Sequence, residues 1–128
     1  MLKESVVVAN VPASDLGRAR RFYAEVLGLE PAHEGPGGLT YEMGGGASFC
    51  LYETEFAGTS GHTVAKWQVA DVSAEVTALR ERGLEFEHYD IPGVAWEGDV
   101  AMIEGLGHAA WFTDSEGNIM CIDDATTR

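Results

Sequence analysis

Two residues able to move protons, His62 and Lys66, stand four positions apart in the alternating stretch HTVAKWQV, with Gln68 two residues further on. Alternate side chains of an extended strand share a face, so an imidazole, an ammonium and an amide are expected along one surface. Such a set could carry acid–base chemistry, with His62 and Lys66 as the candidate catalytic pair, or orient a polar ligand without turnover. Asn10 in SVVVANV and Tyr52 in ASFCLYE add two further hydrogen-bonding groups. Cys50 and Cys121 lie inside apolar runs without CxxC spacing, where a thiol acts as a small hydrophobe, a soft metal donor or half of a redox pair. Trp96, in IPGVAWEGDVAMIEG, is a candidate aromatic wall for a flat ligand.

Spacing also removes chemistries. The histidines form no His-x-His, His-x-x-x-His or His-x-Glu pattern, so no metal ligand is assigned from local spacing. No GxSxG elbow, P-loop or GxGxxG occurs, which leaves serine hydrolase, nucleotide triphosphatase and dinucleotide readings without support. A formal net charge of −13 over 128 residues repels phosphate backbones and anionic bilayers, so neither nucleic acid nor membrane is an expected partner. The opening MLKESVVVANV has a short apolar run broken by Asn10 and no cleavage pattern, which predicts a cytoplasmic protein.

The elements that must position these residues are marked by punctuation and period. SDLGRARRFYAEVLG predicts a helix capped by Ser14 or Asp15, with Leu16, Ala19, Phe22, Val26 and Leu27 on one face and Gly28 at its stop. DVSAEVTALRERG predicts a second, capped by Asp71 or Ser73 and closed by Gly83. Strands are expected at SVVVANV, GLTYEM, ASFCLYE, HTVAKWQV, LEFEHYD, HAAWFTD and NIMCID. Sliding the chain by 56 residues lays Asp15 on Asp71 and Leu16 on Val72, so one motif occurs twice. The modules run about 4–55 and 62–124 within a single domain, 1–128, joined at FAGTSG, and Ile91–Gly105 is an insertion of the second copy and a candidate lid.

With V-x-A-S-D-L-x-R-A-x-x-F-Y-x-x-x-L-G-L in copy one and F-x-D-S-x-G-N at the end of copy two, the chain resembles the vicinal oxygen chelate superfamily of glyoxalases, bleomycin resistance proteins and extradiol dioxygenases. The resemblance spans about Ser5 to Asp123. It implies an α+β fold in which two tandem βαβββ modules curl a mixed sheet into half-barrels around a cleft. It also implies a homodimer, and a divalent metal held by a histidine on the first strand and a carboxylate on the last strand of a module. The matching positions here are Val8, Cys50, Val64 and Cys121. Valines bind no metal, and two thiols suit at most a thiophilic ion. No cofactor is therefore expected, and the small-molecule cleft would be lined by Asn10, Cys50, Tyr52, His62, Lys66, Gln68, Trp96 and Cys121. The alternative is a metal-dependent lyase or dioxygenase of the glyoxalase type with a displaced ligand set, drawn from His62, His108 and a glutamate such as Glu42 or Glu104. Whether the chain is an enzyme stays open at this level.

Overall fold

A computed structural model describes residues 1–124, so the last four residues of the expected 1–128 domain lie outside the description. Strand β1 (Ala9–Ala13), helix α1 (Leu16–Glu25) and strands β2 (His33–Gly35), β3 (Gly38–Glu42) and β4 (Ser48–Glu53) form the first module. The second contains β5 (Thr63–Gln68), α2 (Val72–Glu81), β6 (Ala95–Glu97), β7 (Val100–Ile103), β8 (Gly107–Thr113) and β9 (Ile119–Asp123). Their sheets run β1-β4-β3-β2 and β5-β9-β8-β7-β6, with the first strand of each module parallel to the last and the other pairs antiparallel. This is the α+β pattern expected from the repeat.

The helices begin where their caps place them. The Asp15 carboxylate accepts the Arg18 amide at 3.0 Å, and Asp71 accepts the Ala74 amide at 3.1 Å, each satisfying an N–H that the first helical turn leaves without a partner. Gly28, at φ 73°, supplies the left-handed residue that ends the first helical segment.

Each helix packs on one face of its sheet, and the two faces merge into one core. Tyr23 of α1 is fully buried, with ring centroids 5.7 Å from Tyr41 and 6.0 Å from Phe49. Phe49 lies 6.0 Å from Trp67 and Trp67 lies 6.2 Å from Phe112, so the aromatic contacts pass from module one into module two. Val72, Val76, Met120 and Ile122 complete that side. Burial of this apolar surface is the main force holding the modules together.

A polar clasp reinforces the junction. Glu116, in the turn between β8 and β9, has no exposed side-chain surface and accepts the backbone amides of Ser14 and Asp15 at 2.9 Å each and the Arg18 guanidinium at 2.8 Å. Burial pushes its carboxyl up. The hydrogen bonds from Arg18, the Asp15 amide and the Ser115 hydroxyl, with the Arg18 charge, outweigh burial and hold it at about 2. Beside it the Tyr23 hydroxyl donates to Asp114 at 2.7 Å, and Asn118 donates to the Pro12 carbonyl at 2.8 Å. The turn residues of F-x-D-S-x-G-N thus bind module two to module one.

Three sequence expectations change. Val6, Val7 and Val8 lie outside any strand and are 78%, 86% and 46% exposed, because β4 pairs with β1 only from Ala9 onward. LEFEHYD contributes a single bridge, Glu87 to Trp111, rather than a strand. The segment expected to be wholly inserted holds the β6–β7 hairpin, in which β7 occupies the place that β2 has in the first sheet, so the strand without a counterpart is β6.

Candidate ligand cleft

The helix-free faces of the two sheets carry the residues singled out by sequence. On the first sheet Asn10 pairs in register with Cys50 and Pro12 with Tyr52, so Asn10, Cys50 and Tyr52 share one face. Asn10 and Tyr52 are exposed, and the half-buried Cys50 thiol donates weakly to the Gly37 carbonyl at 3.6 Å.

On the second sheet, register aligns Lys66 with Cys121 and Trp111, and Gln68 with Asp123, Ala109, Ala101 and Trp96. These two rows cross the helix-free face. Lys66 Nζ donates to Asp123 Oδ2 at 2.8 Å, with Lys66 half exposed and Asp123 buried. Burial pushes the Cys121 thiol up to about 11, so it is a small apolar group here and not a nucleophile. The Trp96 and Trp111 rings are 6.0 Å apart, His88 stacks on Trp96 at 4.3 Å, and Tyr89 meets Trp111 edge-on at 5.8 Å. Glu87 accepts the hydroxyls of Tyr89 at 2.9 Å and Thr113 at 3.4 Å.

One predicted neighbour is displaced. The β5–β9 register shifts between Thr63 and Ala65, so an extra residue on β5 reverses the alternation upstream of it. His62 therefore falls out of phase with Lys66 and Gln68. It lies exposed before the strand, with its ring Nδ1 2.9 Å from the Thr63 carbonyl oxygen. The expected pairing of His62 and Lys66 on one face is corrected by this bulge, which a strict period of two could not show.

The residues present do not fit the metal that the family implies. Val8 and Val64 offer no donor, and the Cys121 thiol is stabilised in its protonated form. Among the described residues no three His, Cys, Asp or Glu side chains converge on one point. His108 is held by Asp124 at 2.8 Å, and His33 lies 3.4 Å from Glu42, so these members of the displaced set are engaged elsewhere.

Sequence reasoning reached Trp111 as a candidate aromatic wall or a core residue, but missed Tyr89 and Glu87 beside it and undervalued Asp123. The first three come together through the Glu87–Trp111 bridge, a pairing that no local pattern announces. Asp123 was legible, since it follows Cys121 by two positions and so shares its face.

Among the described residues, no helix is long and apolar enough to cross a membrane. No functionally curated relative matches the chain. Solved structures share its fold: UcmS2 is 19% identical, with a TM-score of 0.68 over 94% of this chain and 98% of that one. TnmS3, an antibiotic-binding protein from Streptomyces sp. CB03234, is 23% identical, with a TM-score of 0.62 over 95% and 96%. The fosfomycin resistance protein FosX from Listeria monocytogenes, crystallised with manganese(II) and dihydroxypropylphosphonic acid, is 13% identical, with a TM-score of 0.66 over 95% and 90%. The family model for the glyoxalase/bleomycin resistance protein/dioxygenase superfamily matches residues 5–122, and the chain belongs to that superfamily.

Proposed function

We propose that this protein binds a small, partly apolar molecule on the helix-free face of its second sheet, without the divalent metal of its family. The observation that carries the reading is the placement of Trp111 and Trp96, 6.0 Å apart, on the two neighbouring rows that carry Lys66 and Asp123. Apolar walls with a few fixed polar groups are the composition of a small-molecule site. The antibiotic-binding relative TnmS3 gives the reading a precedent on the same fold. Turnover is not required, because Lys66 is engaged by Asp123 and His62 is out of phase with it.

Metal content of the purified protein, before and after incubation with nickel, zinc, manganese and iron(II), tests the metal-free part by elemental mass spectrometry. Clearly substoichiometric content for every metal is expected. Near one equivalent of any of them would sink it and return a metal-dependent lyase or dioxygenase to the front. Loss of ligand-induced thermal stabilisation in Trp96→Ala tests the location, and an unaltered response would move the site elsewhere.

The protein is further proposed to work as a homodimer. Val6–Val8 form an exposed apolar stretch, and β1 and β5 are edge strands among the described residues. Light scattering that reads the mass of one chain at micromolar concentration would refute the dimer.

A further inference from the structure

Asp123 carries an unanswered demand. It is only 3% exposed, its Oδ2 accepts Lys66 Nζ at 2.8 Å, and its Oδ1 is buried with no hydrogen-bond partner among the described residues. A buried carboxylate oxygen left without a donor is costly, and such an oxygen on a binding face is a place for a donor that arrives with a ligand.

Its surroundings state what kind of donor. In the row across the sheet, Asp123 is separated from Trp96 by two buried alanines, Ala109 and Ala101, and Trp111 stands in the neighbouring row. The charged groups nearest this face are Lys66, which engages one oxygen of Asp123, and Glu87, held by Tyr89 and Thr113. Behind Trp96, His88 and Arg80 are both directed at Asp99. The chain as a whole stands at −13. An anion approaching this face meets two carboxylates and a repelling field, whereas a cation meets aromatic faces that attract positive charge and, beneath the surface, a carboxylate oxygen without a donor.

We infer that the ligand is a flat organic cation, whose N–H donates to Asp123 Oδ1 while its ring lies against Trp96 and Trp111. This rests on the cleft proposed above and specifies what enters it. Oδ1 is shielded from solvent, so the ligand parts the side chains over it on entry. The hydrogen bond then forms away from water, where a charged partner counts for most.

Proflavine, a planar cation, and anthracene-9-carboxylate, an anion on a similar ring frame, are suitable probes of the full chain by tryptophan quenching and thermal shift. Saturable proflavine binding is expected, with the anion bound at least about tenfold more weakly. Asp123→Asn keeps the shape and removes the charge, and should weaken proflavine by about tenfold or more. Lys66→Met removes the competing ammonium and should tighten proflavine, which keeps the inference testable if Asp123→Asn fails to fold. Anion binding as tight as proflavine, an unchanged Asp123→Asn affinity, a weakened Lys66→Met or no saturable proflavine binding would each overturn it. If Trp96→Ala weakens whichever probe binds while the charge variants have no effect, the cleft stands and the cation falls. If Trp96→Ala leaves that probe's affinity unchanged, both fall.

Discussion

Glu116 shows how one side chain can join distant parts of a chain. Its carboxylate serves two backbone amides and a guanidinium at once, which is why it stays ionised at about 2 despite burial. A carboxyl whose folded value lies below its ordinary 4.5 contributes stability that is fully present above that value and fades as pH falls toward 2. Glu116→Gln should therefore cost about 1–3 kcal/mol at pH 7 and progressively less on acidification between those limits. Urea denaturation at pH 7 and pH 3 checks this, and equal midpoints for variant and parent at pH 7 would count against it. The motif F-x-D-S-x-G-N singles out Asp114, Gly117 and Asn118 but leaves Glu116 as an unspecified position, since its partners Ser14, Asp15 and Arg18 lie about a hundred residues away. The face of Cys121 was legible by contrast, because its strand position alone set it, while its chemistry stayed open between a small hydrophobe, a soft metal donor and half of a redox pair.

At the scale of elements, legibility followed locality. Both helices were readable because their caps, apolar stripes and terminal glycines all lie within the segment itself. Asp15→Ala and Asp71→Ala should each lower stability by about 1 kcal/mol, and by similar amounts, since the two caps make the same bond in equivalent places. Thermal denaturation followed by circular dichroism measures both. A neutral effect would mean that the helix start is held without its cap, by packing at α2 and by packing or the Glu116 clasp at α1. Strands were less readable because their extent depends on a partner: β1 starts only where β4 reaches it, and the β5 bulge exists only relative to β9. Since candidate sites on sheets inherit their register, His62 was misplaced while Lys66 and Gln68 were not.

For the molecule as a whole, the two modules share one core, crossed by the Phe49, Trp67 and Phe112 rings. Gly58, in the expected joint, sits at φ 74°, where an added Cβ would come 2.8 Å from the Glu116 carbonyl oxygen. Gly58→Ala should cost about 1–3 kcal/mol and shift one cooperative transition rather than split it. Differential scanning calorimetry decides, and two resolved peaks would show that the modules unfold separately. The repeat was legible from the 56-residue offset and a single domain was expected from the length, but which faces of the halves meet was not, because they come together only in three dimensions.

The Glu116 clasp also bears on how the protein is made. The amides of Ser14 and Asp15 emerge from a ribosome early, and their carboxylate follows about a hundred residues later. Throughout that interval α1 has its own cap but lacks the Glu116 tie, and β5 waits for β9, the last strand among the described residues. A nascent chain stopped before the β8–β9 turn would hold an unfinished sheet edge and an unclasped helix, so native assembly waits until that turn and β9 have emerged.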